Sequence, residues 1–275
     1  MSQFDAFRYD GRRVVVVGGA TGIGAAAATL AKDAGADVVV MDFAKVDVAG
    51  AKAVHVDLAQ RASIDAAVDE CGGPVHALFS CAGVADGTPG IERINFAGHR
   101  HLIDRMLENE MLGRGSAICW ISSAAGLGWE KNFVELSELL DTPDFDAAAK
   151  WLVDHNKADY FNTKQAVCAY VAREAFRLLQ RGIRINALCP GPTDTPLAQA
   201  NKETWLTFGS DFREAAGTRP STPLEQAYSL LFLCSDAAPA ITGITLVADA
   251  GWLNAGITGT YPPATDIAKL LLGRF

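Results

Sequence analysis

The chain has 275 residues, 49% hydrophobic and 20% charged, with a formal net charge of -8. That balance suits a globular chain with a large apolar core, built as one α/β domain or two small ones. It offers no basic footprint for nucleic acid or anionic lipid. The polar N-terminal run MSQFDAFRYDG has no apolar signal core, and no apolar stretch of about 18 residues occurs. Neither export nor a membrane span is expected. The six cysteines (Cys71, Cys81, Cys119, Cys168, Cys189 and Cys234) form no CxxC pair and mostly sit in apolar runs. They read as free thiols of a reducing, cytoplasmic environment. The five histidines form no ligand-like cluster, so no metal site is expected.

Residues 14–17 (VVVV) read as a buried strand. A glycine cluster follows at once, with Gly18, Gly22 and Gly24 in a G-x3-G-x-G pattern, and residues 25–31 then read as an alanine-rich helix. Strand, glycine turn and helix start together make a diphosphate site, the glycines serving tight turning, backbone approach and helix–strand packing. The plainer alternative is a glycine-rich turn that binds nothing. Residues 36–41 (ADVVVM) form a second strand, and Asp42 stands at its carboxyl end, 24 residues after Gly18. An acid there accepts the adenosine ribose hydroxyls and repels a 2′-phosphate, which favours NAD over NADP. Lys45, close by, is the charge that would soften this preference.

Residues 53–56 are a short third strand ending at Asp57 and Leu58, and residues 63–70 a helix with Ser63 as its N-cap. Residues 75–79 (VHALF) are the fourth strand. The turn Ser80-Cys81-Ala82-Gly83 after it has side chains small enough for a nucleotide to lie on the sheet edge. Residues 91–111 carry apolar side chains at helical spacing. Asn95 within them is either a solvent-facing or capping residue or, given its apolar flanks Ile94 and Phe96, a buried functional group. Residues 117–121 (AICWI) are the fifth strand, and Ser122 and Ser123 follow at its end, where open parallel sheets place their chemistry.

Residues 127–157 show no strand pattern and read as an inserted helical pair, broken at Thr142-Pro143. The pair covers the cleft, remodels a subunit contact or is a surface excursion. Residues 158–179 form a long helix with Tyr160 and Lys164 four apart on one face. Residues 183–188 (IRINAL) are the sixth strand, and the proline-rich run from Pro190 to Pro196 makes a rigid turn behind it. The pattern loosens over 196–222, where Trp205, Phe208 and Phe212 either close over an apolar substrate or anchor the loop. Residues 223–234 are a helix with proline in the first turn, residues 244–247 the seventh strand, and residues 252–275 an extension with a final short helix. Seven βα-like units predict an α/β Rossmann fold in a single domain over 1–275. It is one doubly wound parallel sheet of about seven strands with helices on both faces.

From Arg13 to Asp249 the chain resembles the short-chain dehydrogenase/reductase family. The glycine cluster matches that family's cofactor motif with Val17 in place of the usual threonine, and Ala82-Gly83 keeps the end of its Asn-Asn-Ala-Gly turn. The resemblance implies a catalytic tetrad of Asn95, Ser123, Tyr160 and Lys164, with Ser122 as the alternative serine. It implies NAD contacts from Gly18, Thr21, Gly22, Ile23, Gly24, Asp42, Asp57, Leu58, Cys81, Ala82 and Gly83. Tyr160, Lys164, Pro190, Gly191, Thr193 and Thr195 complete that set. Ser123 and Tyr160 lie 37 residues apart, far more than is usual in the family. The insertion responsible is placed as in the bacterial 3α-hydroxysteroid dehydrogenase/carbonyl reductase branch. The family also implies a homo-oligomer, dimer or tetramer, although the insertion sits beside the helices that build its tetramer.

The chemistry fits these residue types. Oxidising a secondary alcohol requires removal of its hydroxyl proton, and a free tyrosine, with a pKa near 10, is a poor base at neutral pH. A cation one helical turn away favours the phenolate, so Lys164 is expected to lower the pKa of Tyr160 and to hold the nicotinamide ribose. Tyr160 is then the general base, or the acid in reduction. Ser123 orients the substrate oxygen, and Asn95 anchors a water that connects Lys164 to solvent. Trp205, Phe208, Phe212 and Trp129 or Trp151 are expected to line an apolar substrate pocket. The expected activity is NAD-dependent interconversion of a hydrophobic secondary alcohol and its ketone, with a 3α-hydroxysteroid as lead candidate. A terpenoid or aromatic alcohol is the alternative substrate. An NAD(H)-binding regulatory protein with little turnover is the alternative of another class, disfavoured because binding alone needs no general base.

Overall fold

The computed structural model describes residues 2–273. Its seven strands are β1 (Arg13–Val17), β2 (Asp37–Asp42), β3 (Lys52–His55), β4 (Val75–Ser80), β5 (Leu112–Ile121), β6 (Arg184–Pro190) and β7 (Thr245–Ala248). They form one sheet in the order β3-β2-β1-β4-β5-β6-β7, with every neighbouring pair parallel. The valine run explains the centre. Val15 pairs with Val39 on one side and Leu78 on the other, and all three are buried. Strand order reverses between β1 and β4, which opens a crevice at their carboxyl ends.

The helices are α1 (Gly22–Asp33), α2 (Arg61–Cys71), α3 (Gly98–Glu108), α4 (Phe133–Leu140), α5 (Phe145–Asp154) and α6 (Tyr160–Gln180). They continue with α7 (Pro196–Ala200), α8 (Lys202–Trp205), α9 (Ser210–Ala215), α10 (Pro223–Cys234), α11 (Trp252–Thr258) and α12 (Thr265–Leu272). Alternate valines of β1 serve the two faces. Val14 and Val16 pack with the alanines of α1 and with α10, whereas Val15 and Val17 join the core made by α2, α3 and α6. Tyr9 closes the first face, donating its hydroxyl to the Leu231 carbonyl at 2.6 Å. Among the described residues no helix is long and apolar enough to cross a membrane.

The inserted helical pair is part of the core. Leu136, Leu139 and Leu140 of α4, with Phe145, Ala148, Ala149 and Leu152 of α5, are buried in the α3–α6 face. Arg100 of α3 reaches the end of α4, donating to the Thr142 hydroxyl at 2.9 Å and the Thr142 carbonyl at 2.6 Å. A surface excursion would bury none of this.

Other expectations need correction. Ser63 does not cap α2: Gln60 holds that position, and the Ser63 hydroxyl accepts the Asp57 N–H at 2.9 Å. β5 begins at Leu112 rather than 117, because a register shift between Val75 and Ala77 carries the pairing past the polar Gly113–Ser116 run. A π-helical turn over Arg93–Ala97 precedes α3, where the apolar spacing suggested uninterrupted α-helix. The region over 196–222 contains three short helices, and the C-terminal extension holds a second helix, α11, ahead of the final one expected.

Candidate active site

The crevice is a cleft of about 800 Å³ running from the end of β3 across β2, β1 and β4 to the end of β6. It opens on the glycine turn. Gly18 has φ +83, and a Cβ there would lie 2.3 Å from the Ala82 nitrogen; at Gly24 it would lie 2.0 Å from the Gly18 carbonyl oxygen. Only glycine lets the two turns and the helix start nest this closely. Thr21 stands at the N-cap of α1 in extended conformation with no side-chain capping bond, so its helix presents N–H groups to the cleft. Asp42, at the end of β2, accepts from the Ala20 N–H and the Ala44 N–H, each at 2.8 Å, which fixes its carboxylate beside the glycine turn. Lys45 is exposed and is not part of the cleft lining.

The expected nucleotide residues come together. Gly18, Thr21, Gly22, Ile23, Gly24, Asp42, Asp57, Leu58, Cys81, Ala82 and Gly83 line one part of the cleft. Pro190, Gly191, Thr193 and Thr195 line the far wall with Ser123, Tyr160 and Lys164. Thr193 donates its hydroxyl to the Gly191 carbonyl, and the Thr195 hydroxyl caps α7, so both side chains also shape this wall.

Tyr160 and Lys164 project from the first turns of α6. Asp159 caps that helix, and the Asp86 carboxylate accepts the Tyr160 N–H at 2.6 Å, an anchor the sequence did not reveal. Ser123 stands on the cleft lining with Tyr160 and acts to lower the Tyr160 pKa. Ser122 points the other way: its hydroxyl is buried and donates to the Lys164 carbonyl at 2.8 Å. The geometry thus separates the two serines. Lys164 is buried, lies with Nζ 5.6 Å from the centre of the Tyr160 ring, and donates to the Ile121 carbonyl at 3.0 Å.

The electrostatics differ from expectation. Burial pushes the Tyr160 phenol up to about 12, which outweighs the lowering from Ser123. Burial also brings Lys164 down to about 8. Desolvation disfavours the charged form of each group, and for the phenol it sets the direction of the shift.

Asn95 is fully buried behind the cleft and does not line it. Its Oδ1 accepts the Val84 N–H at 2.8 Å and its Nδ2 donates to the Val84 carbonyl at 3.1 Å. The amide therefore clamps the main chain just after the Ala82-Gly83 turn, and its solvent-facing alternative falls away.

Of the expected aromatics, Trp205 and Phe208 line the cleft, with the Trp205 ring 5.0 Å from Tyr160 and Phe208 4.7 Å from Trp252. Phe212 packs on Tyr261 instead, Trp129 on Phe133, and Trp151 on His155. None of these three lines the cleft, nor does any part of the inserted pair. The sequence also missed Phe43 and Leu271, which lie on the lining. Phe43 directly follows Asp42 and was findable; Leu271, at the other end of the chain, carried no local signal.

Two family models match the chain: short chain dehydrogenase over residues 12–134, and enoyl-(acyl carrier protein) reductase over residues 144–253. The chain is 32% identical to cis-4-hydroxycyclohexanecarboxylate dehydrogenase of Sinomonas cyclohexanicum, over 88% of this chain and 96% of that protein. It belongs to the short-chain dehydrogenase/reductase family. Another family member, the 3-alpha-hydroxysteroid dehydrogenase/carbonyl reductase of Comamonas testosteroni, is 29% identical over 86% of this chain and 95% of its own length. The structure of 3-alpha-hydroxysteroid dehydrogenase from Pseudomonas sp. B-0831 complexed with NADH superposes with a TM-score of 0.71. It is 27% identical and covers 90% of this chain and 99% of that one. As a member of this family the chain is an NAD-dependent oxidoreductase of small organic alcohols and ketones. Its cofactor is NAD(H), and the glycine cradle, the open start of α1 and the Asp42 carboxylate suit that dinucleotide.

Proposed function

We propose that the enzyme interconverts a neutral, hydrophobic secondary alcohol and its ketone, with a 3α-hydroxysteroid as the lead candidate. One observation carries this reading: Ser123, Tyr160 and Lys164 converge on a cleft whose other charged lining residues, Asp42 and Asp57, stand at the opposite end. Trp205 packs on Tyr160, and Phe208, Leu197 and Leu271 add apolar surface to the same cleft lining, which favours a flat apolar ring system. The Sinomonas relative is named for a carboxylated substrate. Here Lys164 is the one cation on the cleft lining among the described residues, and it is already bonded to Ile121, which disfavours a carboxylate.

When bound, the nicotinamide supplies the hydride acceptor for oxidation or the donor for reduction. Tyr160 moves the proton: its phenolate takes the hydroxyl proton of the alcohol, and its phenol returns it to the ketone oxygen. Ser123, on the same cleft lining as Tyr160, holds the same oxygen through its hydroxyl. Lys164 contributes a positive charge at neutral pH, being below its pKa of about 8. Asn95 keeps the Val84 main chain in place behind these groups. The free thiols fit a cytoplasmic enzyme, and the family setting favours a homo-oligomer.

The test is NADH formation with a panel of 3α- and 3β-hydroxysteroids, monoterpene alcohols and benzylic alcohols. Turnover of the 3α epimer alone supports the lead candidate; a terpene or aryl alcohol turning over far better replaces it. Tyr160→Phe is expected to lose roughly 10²–10⁴-fold in turnover while still binding NADH. Because the phenol sits near 12, alcohol oxidation should accelerate with rising pH, whereas ketone reduction, which uses the protonated form, should not. Undiminished turnover in Tyr160→Phe would remove Tyr160 from the mechanism.

A further inference from the structure

His99 is fully buried near the start of α3, four residues after Asn95. Its Nε2 lies 3.0 Å from the Ala82 carbonyl oxygen. A carbonyl only accepts, so Nε2 carries the proton and donates. Nδ1 is then the bare nitrogen, and it is buried with no hydrogen-bond partner among the described residues. Burial holds the imidazole neutral, with its pKa down to about 3, so this one tautomer persists over the working pH range. The ring is fixed sideways by Trp120, with centroids 5.1 Å apart.

The bond matters because of what Ala82 touches. The Ala82 N–H donates to the Val17 carbonyl at 2.9 Å, and the Ala82 nitrogen is the atom a side chain at Gly18 would strike. Ala82 is thus the point where the β4 turn meets the glycine turn of β1. The residue before His99 makes a matching contact on the other side. A Cβ at Gly98 would lie 2.4 Å from the Leu58 carbonyl oxygen, so α3 abuts the loop after β3 as well. Consecutive residues of one helix therefore brace two separate loops of the nucleotide cleft.

We propose that His99 is a positioning residue for the dinucleotide, holding the Ala82-Gly83 turn against Gly18 through its Nε2–H bond to the Ala82 carbonyl. It touches neither substrate nor reacting atoms. Its loss lets the turn drift and weakens nucleotide binding in both redox states.

The experiment reads NADH affinity by nucleotide fluorescence on the full chain with no alcohol present, so it stands apart from the identity of the substrate. His99→Phe keeps a ring on Trp120 but has no donor, and it is expected to raise the NADH Kd roughly tenfold. His99→Gln places an N–H about where Nε2 lies and is expected to restore affinity to within about twofold to threefold. Trp120→Phe is the packing control: it lowers the unfolding midpoint and leaves the NADH Kd in place. If His99→Phe does not fold, His99→Asn against His99→Gln makes the same comparison, because the shorter amide cannot reach Ala82. Wild-type affinity in His99→Phe, or equal weakening in Gln and Asn variants, overturns the proposal. So does a Trp120→Phe Kd raised as far as that of His99→Phe.

Discussion

Lys164 is a buried cation whose proton affinity has been reduced by desolvation, from the ordinary 10.5 to about 8. The sign of its effect on stability follows from linkage. Between those two values the unfolded chain binds more protons than the folded one, so stability rises with pH across that window. Wild type should therefore gain roughly 2–3 kcal/mol relative to Lys164→Met as pH is raised from about 8 to 10.5. Denaturant unfolding of the two proteins at several pH values checks this, and a constant difference would show that Lys164 is not desolvated. Turnover in the variant should fall by roughly 10²-fold or more. The sequence supplied Tyr160, Lys164 and Ser123 because a shared helix face and a strand end are local patterns. The direction of their pKa shifts was not legible. It depends on burial, to which a residue as distant as Trp205 contributes by packing on the Tyr160 ring, and no spacing rule reports that.

The inserted pair shows the same divide at the level of elements. Phe133, Leu136, Leu139 and Leu140 are spaced for one amphipathic helix, as α4 is, but a hydrophobic face does not announce its partner. That partner is the α3–α6 face, and Arg100 is the tie. Its guanidinium satisfies carbonyls at the end of α4 while itself almost buried, with the Asp104 carboxylate 3.7 Å away. Arg100→Ala should cost roughly 2–3 kcal/mol and lower the unfolding midpoint by several degrees, with NADH affinity unchanged. A loss of NADH binding without a loss of stability would mean that the pair communicates with the cleft. Strand positions were the easier reading: valine-rich runs that are buried on both faces look alike in sequence and in structure. The short helices between Pro196 and Ala215 were harder, since pieces of four to six residues lack a full period of pattern.

Across the whole molecule the thiols give a simple readout. All six cysteines are free, five are buried, and Cys81 is half-buried on the cleft. Burial pushes the Cys81 thiol up, so even this group is slow to ionise. The native protein should show no fast-reacting thiol toward an aromatic disulfide, and all six should react once it is unfolded without reductant. Cys81 should be the first to react on prolonged exposure, and NADH should protect it. Fewer than six reactive groups after unfolding would indicate a disulfide.

The π turn at Arg93–Ala97 bears on how this protein can change over evolutionary time. Such a turn holds one residue more than the α-helical turn it replaces, so deletion of a single codon can return it to regular helix. The segment upstream would then rotate by about 100° relative to Gly98 and all that follows. Asn95 would swing away from Val84, whereas His99 would keep its hold on Ala82. Drift in this stretch is therefore constrained in length more tightly than in side-chain identity, and a one-residue gap here marks a lineage that holds the Val84 main chain by other means.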